Sequence, residues 1–503
     1  MGLIENVLYG FGVALTPLNL FLCFMGAIAG TLVGVLPGLG PVGAMSMLLP
    51  VTFVISPTGA LIMLAGIYYG AQYGGSITSI LLNVPGEATT IVTCLDGNAM
   101  AKGGRAGPAL GISAFGSFIA GTLAICGTIL FAFPLTSFAL KFVPPEYFGL
   151  ICMGLVILTY LSRGSMLKSL LMAVLGIFVS TIGMDSMTGV SRFSFGSISL
   201  REGVGLVPIA MGMFGLGEIL TNLEEEKKQE VLKAKLSHLF PSLQDWQDST
   251  WPILRGTILG FFLCILPGGG ALVSSFASYA VEKKLSKYPE KFGTGVIEGV
   301  AGPESANNSG AQASFIPLLT LGIPTNIVTA ILLGALLIHG ITPGPLLIKE
   351  KPDLFWGVIT SMYIGNIMLL VLNLPLIPLW VKILHVPKYI LFPVILLLCL
   401  IGVYSVNNNV FDVFLMIFFG VVGYVVKRLD FEPAPFILAV VLGPIFEENL
   451  RQSLIFSRGD FSIFFTRPIA LGFMIVTILL IVFPFIPRLK RRKMTLAGEE
   501  EES

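Results

Sequence analysis

Long apolar runs without charge separate short polar segments along this chain. After Glu5 no acidic or basic residue appears until Glu87, and similar uncharged runs cover 106–140, 256–281 and 305–348. Each run can hold the roughly 20 residues that a membrane helix needs. Because backbone polar groups in lipid must be hydrogen-bonded within the protein, these runs predict helices. The pattern therefore predicts an all-α polytopic membrane protein with about 12 membrane segments.

Two kinds of Gly-Pro element interrupt these runs, and each occurs twice. Residues 36–40 read LPGLG and 266–270 read LPGGG, while 81–85 read LLNVP and 320–324 read TLGIP. Paired interruptions at corresponding positions are typical of transporters built from two related halves, with the binding site at the interruptions. We therefore expect two structurally repeated halves with broken helices or re-entrant hairpins. We favour an inverted repeat, and the distribution of Lys and Arg leaves a parallel repeat open.

The correspondence between the halves extends beyond these motifs. When the LPG elements are aligned, Gly26 meets Gly256 and Gly30 meets Gly260. Gly and Pro are frequent in membrane helices, so single matches arise by chance. Because the order of all the matches is kept, we favour an internal duplication.

Polar segments divide the chain into four parts. Residues 1–221 form the first membrane half and 251–487 the second; between them, the polar linker 222–250 predicts an amphipathic helix. Residues 488–503 form a tail that begins with RLKRRK. Because Lys and Arg next to membrane segments favour the cytoplasm, we place the linker and the C-terminus there.

The LPG elements predict a binding site. Pro37 blocks continuation of the helix before it, and Gly38 and Gly40 allow close approach of a ligand or another backbone. The residues that follow can start a new helix, whose free N–H groups and partial positive charge attract anions. Two such breaks facing one another would suit a carboxylate. The alternative is an ordinary proline kink between packed helices.

The second LPG element allows two geometries. Arg255 precedes the uncharged segment 256–281, and Lys283 and Lys284 follow it, so both ends can lie on one side of the membrane. On that interpretation LPGGG is the tip of a re-entrant hairpin, and the alternative is a broken spanning helix. Either way, irregular backbone at membrane depth must be covered by protein or line a water-filled cavity.

Polar side chains gather around the second Gly-Pro elements. Hydroxyl and amide groups with backbone carbonyls are what a Na⁺ site or a carboxylate cradle requires. A buried Glu304 would be a protonatable group or ion ligand, whereas at the surface it would help to cap a helix. The candidate substrate-binding residues are Gly38, Gly40, Asn83, Pro85, Gly86, Gly268, Gly270, Ser274, Ser275, Asn307, Asn308, Pro324, Thr325 and Asn326; the candidates for the coupling cation are Glu87, Glu304 and Ser309.

Composition and motifs argue against catalysis. Hydrophobic residues are 54% of the chain and charged residues 12%, which again indicates a membrane protein. The three histidines are isolated and the six cysteines form no CxxC, so we predict no resident metal and no cofactor. No hydrolase, Rossmann or Walker motif follows a strand, so we predict no enzyme and no ATP hydrolysis by this chain. Transport energy must come from an ion gradient or from a separate subunit.

Several stretches carry a family resemblance. GTLVGVLPGLGP, LLNVPGEATTIVTCLDG, EGVAGPESANN and TLGIP, in this order, resemble signature stretches of the large membrane subunit of tripartite tricarboxylate transporters. Within the second stretch we read Asp96 and Gly97 as a turn. A further stretch, residues 447–451, resembles a family signature without a predicted site role, and we expect it to serve packing or a subunit contact.

The resemblance implies a function. It predicts a multi-pass secondary transporter of the bacterial inner membrane, which takes up citrate-like di- or tricarboxylates together with Na⁺ or H⁺. It also implies two partners, a small four-helix membrane subunit and a periplasmic solute-binding protein. The hypothesised mechanism is elevator-type alternating access, in which a core that carries all four Gly-Pro elements moves against a scaffold. The alternatives are a channel and a transporter for a different, non-carboxylate solute.

Overall fold

The chain folds almost entirely into helices. The computed structural model describes residues 2–36, 40–161, 165–224, 239–266, 270–383 and 388–482. In the first half the α-helices are α1 Leu3–Ala14, α2 Pro17–Val35, α3 Gly40–Thr52, α4 Pro57–Leu82, α5 Ile91–Lys102, α6 Ala106–Ala139, α7 Pro144–Leu161, α8 Met166–Ser180, α9 Ile198–Arg201, α10 Leu206–Ala210 and α11 Gly217–Glu224.

The remaining elements follow the linker or are short. The later helices are α12 Leu243–Ile265, α13 Gly270–Leu285, α14 Glu298–Ala313, α15 Phe315–Leu321, α16 Ile327–Ile338, α17 Leu347–Glu350, α18 Pro352–Asn373, α19 Ile377–Ile383, α20 Lys388–Asn407, α21 Val410–Arg428, α22 Ala434–Phe456, α23 Ile463–Thr466 and α24 Pro468–Val482. Two 3₁₀ turns, Ala88–Thr90 and Pro289–Lys291, and a π-helical turn, Met211–Leu216, join neighbouring helices. Strands β1 Gly183–Met184 and β2 Ser191–Arg192 pair antiparallel.

Five helical stretches of the described chain are long and apolar enough to cross a membrane, and shorter apolar helices accompany them. This confirms the predicted class, an all-α membrane protein. The number of about 12 segments, the repeat and the division into halves and linker stay predictions. Residues 225–238 of the linker and 483–503 of the tail lie outside the described residues. The five long stretches are Pro17–Val35, Ala106–Ala139, Leu206–Glu224, Pro352–Asn373 and Val410–Arg428.

Glycines bring two helix pairs into close contact. A Cβ added to Gly30 of α2 would lie closer than 3.0 Å to the carbonyl oxygen of Ile67 in α4. A Cβ added to Gly260 of α12 would come equally close to the carbonyl oxygen of Ala306 in α14. Only a residue without a side chain allows helix backbones to approach this closely. These two glycines are the ones that the sequence aligned, so the α2–α4 and α12–α14 contacts support the predicted duplication.

Helices α12 and α13 form a hairpin. Near its open end Arg255 Nε donates to Glu282 Oε1 at 2.8 Å, and near its tip Cys264 Sγ lies 3.3 Å from Ser274 Oγ. The two helices therefore run antiparallel to each other; residues 267–269 lie outside the described residues. This antiparallel arrangement agrees with the hairpin interpretation of the second LPG element.

The largest apolar core joins the two halves of the chain. It contains Tyr68 and Tyr69 of α4 together with Phe315 of α15 and Trp356 of α18, all buried. For a protein in water, burying apolar side chains stabilises the fold by about 25 cal/mol per Å² of apolar surface removed from the solvent. Inside a bilayer, close packing of the side chains supplies the attraction instead. The halves therefore cannot separate without opening this core.

The expected turn at Asp96 and Gly97 is wrong. Both residues lie inside α5, and the Asp96 side chain is buried. Its Oδ1 accepts hydrogen bonds from the backbone N–H groups of Gly293, Gly295 and Val296 at 2.8 to 2.9 Å. Asp96 therefore fixes the loop that leads into α14, and three backbone donors satisfy a carboxylate that burial would otherwise destabilise.

Candidate functional site

A single cavity of about 940 Å³ is lined by residues that belong to, or directly follow, the four Gly-Pro interruptions. Gly40 and Gly270, which follow the two LPG elements, lie in its wall. Pro85, which ends the second element of the first half, lies there too, and so does Thr325, which directly follows the second element of the other half. Segments that are far apart in the sequence thus meet at one site, as the doubled motif predicts.

The backbone at the breaks takes equivalent conformations in the two halves. Gly40 begins α3 with φ +58° and Gly270 begins α13 with φ +50°, in the left-handed region that favours glycine. Asn83 ends α4 with φ 57° and Gly322 ends α15 with φ 70°. Left-handed residues at these positions terminate a helix, which frees the chain to turn toward the cavity.

Two residues after each break proline, a polar side chain caps the next helix. Glu87 Oε2 accepts from the backbone N–H of Thr89 at 3.2 Å, and Asn326 Oδ1 accepts from that of Thr329 at 3.0 Å. Both residues line the cavity. One half therefore carries a carboxyl group where the other carries an amide.

A polar wall connects Glu87 with the middle of α4. The Thr89 hydroxyl contacts Glu87 Oε2 and donates to Gln72 Oε1 at 2.7 Å. Gln72 lines the cavity, and its Nε2 is buried without a hydrogen-bond partner among the described residues. In the other half, Asn326 Nδ2 donates to the Tyr68 hydroxyl at 3.1 Å. An unpaired buried donor is costly, so Gln72 has a donor ready for a ligand.

Further charged residues of α11, α21 and the segment after α21 also line the cavity. Lys427 of α21 forms an ion pair with Glu218 of α11, and both line the cavity together with Asp430 and Glu432. Together with Glu87, the described residues that line the cavity carry four carboxyl groups and one amine. Sequence reasoning missed Tyr68, Gln72, Glu218 and Lys427. A signal for Gln72 was present, because an amide inside a long uncharged run is itself a polar exception.

Some predicted ligands lie behind the cavity wall. Ser274 and Ser275 are buried in α13, where Ser275 Oγ lies 3.4 Å from the carbonyl oxygen of Pro303. Asn308 Nδ2 donates to Ser117 Oγ of α6 at 2.8 Å. Asn307 is 1% exposed, and neither of its amide atoms has a partner among the described residues. No observation tests a ligand role for these four residues.

Some of the other predicted substrate-binding residues line the cavity and others do not. Gly86, Thr325 and Asn326 lie in the cavity wall. Asn83 and Pro324 are not among the residues that line it. Gly38 and Gly268 lie outside the described residues, as does Pro37.

Two of the three candidate cation ligands are fully buried. Glu304 Oε2 accepts from Ser76 Oγ at 2.5 Å, and its Oε1 is bonded to the Thr93 hydroxyl. Ser309 Oγ donates to the carbonyl oxygen of Thr257 at 2.7 Å, so it serves the α12–α14 contact. The third, Glu87, is half-buried and lines the cavity. The buried alternative for Glu304 is thus the observed one, and its role in coupling stays a prediction.

The segment at 447–451 has a packing role. It belongs to α22, where Arg451 and Glu447 meet Asp185 and Arg192 of the β-hairpin. Arg451 Nη1 lies 2.8 Å from Asp185 Oδ2, and Arg192 Nη1 lies 2.8 Å from Glu447 Oε1. These ion pairs fasten the hairpin to α22, in agreement with the expected packing role.

Comparison with known proteins identifies the family. The family model described as the tripartite tricarboxylate transporter TctA family matches residues 20–438. An Agrobacterium vitis protein described as "Uncharacterized 52.8 kDa protein in TAR-I ttuC' 3'region" is 52% identical over 501 residues, which cover 100% of both chains. A second protein from that organism, described as "Uncharacterized protein in TAR-II ttuC' 3'region", is 52% identical over 242 residues, 48% of this chain and 100% of its own.

No solved structure matches the chain. The family match covers most of the chain and includes all four Gly-Pro elements. It confirms the family that the motifs resemble, and it makes the protein a multi-pass membrane subunit of a transporter rather than a member of an enzyme family. The chain belongs to the tripartite tricarboxylate transporter TctA family.

Proposed function

We propose that this chain is the subunit of an ion-gradient-driven secondary transporter that moves citrate-like di- or tricarboxylates across the bacterial inner membrane. The observation that carries the proposal is that one cavity is lined by residues from three of the Gly-Pro interruptions and by Thr325, which directly follows the fourth. Its volume of about 940 Å³ is large enough for such a solute. Broken helices around a central site are the arrangement by which many secondary transporters bind substrate.

The carboxylate is held by helix N-termini and by Gln72. Helices α3, α13 and α16 begin at or beside the cavity wall, and each presents free backbone N–H groups at its first turn. These ends carry partial positive charge, which favours a bound anion. The unpaired Gln72 Nε2 adds a neutral donor. Asn307, whose amide has no partner among the described residues, is a second donor for a solute that reaches deeper than the cavity lining.

Delivery and energy come from outside the chain. A periplasmic solute-binding protein supplies the carboxylate, a small four-helix membrane subunit completes the complex, and Na⁺ or H⁺ drives accumulation. In the elevator mechanism, α2–α6 and α12–α16 move as the core. Helices α7, α8, α22 and α24, which pack on one another, belong to the scaffold. The C-terminal tail lies in the cytoplasm.

Reconstituted vesicles test this function. Radiolabelled citrate, malate and succinate are offered to vesicles that contain the protein with the small subunit, with and without the binding protein, under an imposed Na⁺ or H⁺ gradient. We expect accumulation above the external concentration for at least one carboxylate. Gly270→Val should abolish it because Gly270 has φ +50°, whereas Gly12→Val, at a position with no atom within 4 Å, should not. Equal uptake by both variants would contradict the site.

The acidic wall favours a second candidate, a transporter or channel for a non-carboxylate solute. Glu87, Glu218 and Asp430 line the cavity, and Lys427 is the only amine among the described residues that line it. A cationic solute would meet attraction there, whereas an anion needs these charges to be paired or neutralised. Uptake of radiolabelled diamines in the same vesicles distinguishes the two. A channel would equilibrate its solute without accumulating it.

A further inference from the structure

A hydrogen-bonded chain of three side chains links Glu87 with Gln72 at the cavity wall. The Thr89 hydroxyl lies between them, in contact with Glu87 Oε2 and 2.7 Å from Gln72 Oε1. A hydroxyl carries one proton, so it can donate to only one of these two oxygens at a time. When Thr89 donates to Gln72 Oε1, its contact with Glu87 needs a proton on the carboxyl group.

The direction of this chain decides what Gln72 offers to the cavity. With Glu87 protonated, Glu87 donates to Thr89 and Thr89 donates to Gln72 Oε1. Gln72 Nε2 then has no partner among the described residues, as observed. With Glu87 ionised, Thr89 must donate to the carboxylate, and Gln72 satisfies Thr89 only by turning its amide so that Nε2 donates to the hydroxyl. The free atom of Gln72 then becomes the acceptor Oε1. An anion is attracted by the first arrangement and repelled by the second.

Electrostatics act in the same direction. An ionised Glu87 and a bound carboxylate would share one cavity, and two negative charges at close range repel each other more strongly there than in bulk water. No described residue forms an ion pair with Glu87. Protonation of Glu87 therefore removes a repulsion at the same moment as it frees a donor.

The groups around Glu87 leave it without a fixed counter-charge. Tyr68 of α4 and Glu304 of α14 are its titratable neighbours on the packed side. Farther along the neighbouring α13 and α5, Tyr279 and Asp96 are bonded to each other at 2.9 Å. Across the cavity, Lys427 is engaged by Glu218, and Asp430 and Glu432 are acidic.

We propose that Glu87 binds the coupling proton and that Thr89 transmits its protonation state to Gln72, which then presents a donor to the carboxylate. This proposal rests on the proposed function and names its coupling ion as H⁺. By thermodynamic linkage, a proton that favours carboxylate binding is itself bound more tightly when the carboxylate is present. Each ligand therefore favours the binding of the other, as cotransport of the two requires.

The counterpart of Glu87 supports this assignment. Asn326 caps the next helix at the same position of the other half, and its amide carries no titratable proton. Of these two capping residues only Glu87 can change its charge, so the proposal expects one proton from this pair for each transport cycle.

The test measures the pH dependence of binding and driven uptake by the reconstituted full-length protein. Wild-type binding of radiolabelled citrate, malate or succinate should weaken as pH rises, by up to about tenfold per pH unit for one linked proton. Glu87→Gln should bind to the same extent across the pH range and lose proton-driven accumulation. Thr89→Val should flatten the pH dependence because the link to Gln72 is gone. Asn326→Asp should add a second pH-dependent step.

An infrared measurement separates this inference from the proposed function. A protonated-carboxyl band that titrates in the wild type and is absent from Glu87→Gln supports the proton site, whether or not a carboxylate binds. If none of the three carboxylates binds, the proposed function is overturned, but the proton site is not. The inference is overturned if carboxylate binding by Glu87→Gln keeps the wild-type pH dependence while its thermal unfolding curve shows that the variant is folded. Accumulation driven by Na⁺ alone and insensitive to pH would overturn it as well.

Discussion

Gly86 lies directly against the carbonyl oxygen of Gly34. A Cβ on Gly86 would come closer than 3.0 Å to that oxygen and to the Cα of Gly75 in α4. Gly74, the neighbour of Gly75, packs in the same way against the Thr31 carbonyl oxygen of α2. The break after Pro85 therefore rests on the end of α2, just before the first LPG element, and the two interruptions of the first half form one unit.

A methyl group at Gly86 should disturb this unit. Gly86→Ala must push α2 or α4 aside, and overpacking of this kind costs about 1–3 kcal/mol. We expect a lower midpoint of thermal unfolding in detergent and a loss of carboxylate uptake larger than the loss of protein. Gly12→Ala, with no atom within 4 Å, is the control. Wild-type uptake by Gly86→Ala would show that the break tolerates a displaced backbone.

The close helix contacts of the two halves should respond alike. Gly30→Ala separates α2 from α4 and Gly260→Ala separates α12 from α14, because each new methyl group meets a backbone carbonyl oxygen. We expect each change to destabilise the protein by about 1–3 kcal/mol. Thermal unfolding of the two variants, with Gly472→Ala at an open position as the control, measures this. A tolerated change in one half only would argue that the two contacts are not equivalent.

Lys427 should matter for affinity rather than for folding. Its amine is the only one among the described residues that line the cavity, and it is shared with Glu218. Lys427→Met should raise KM for a carboxylate about tenfold, equivalent to about 1.4 kcal/mol. Lys427→Arg keeps the charge and should recover most of the affinity, while Lys283→Met, on the exposed end of α13, is the control. An unchanged KM would remove Lys427 from the site.

The β-hairpin cluster predicts a pH dependence of stability. Hydrogen bonds from the Thr188 hydroxyl, from Arg451 and from the Met187 N–H lower the pKa of Asp185 below its ordinary value of 3.8. Because the folded-state pKa is the lower one, the stabilisation is present above the ordinary pKa and is lost as pH falls through the folded-state pKa.

Asp185→Asn should therefore unfold at a lower temperature at pH 7 and lose less stability than the wild type on acidification. Thermal unfolding between pH 7 and pH 3 measures both effects. Asp248→Asn, on an exposed part of α12, should follow the wild-type curve. If the unfolding temperatures of the wild type and of Asp185→Asn fall equally between pH 7 and pH 3, the cluster does not fasten the hairpin.

The sequence predicted those features that local chemistry dictates. Uncharged runs require helices because lipid offers no hydrogen bonds to a free backbone. Pro85 and Gly270 mark chain breaks because proline blocks a helix and glycine tolerates a positive φ. Since the breaks recur in order, their convergence could be anticipated, and residues of three breaks and the residue directly after the fourth line one cavity. Asn307 and Ser275 were expected in the same site from their polarity; both are buried and are not among the residues that line the cavity, and their ligand role stays a prediction.

The sequence by itself determined the membrane class, the helix breaks and the family, because each follows from residue type and spacing along the chain. Only the tertiary structure decided which polar groups meet. Gln72 comes beside Thr89 and Glu87, and Lys427 comes opposite them, through contacts between helices that are distant in sequence. The rotation and crossing of packed helices depend on all their side chains together, so no local pattern specifies that the Glu87 carboxyl, the Thr89 hydroxyl and the Gln72 amide form one chain.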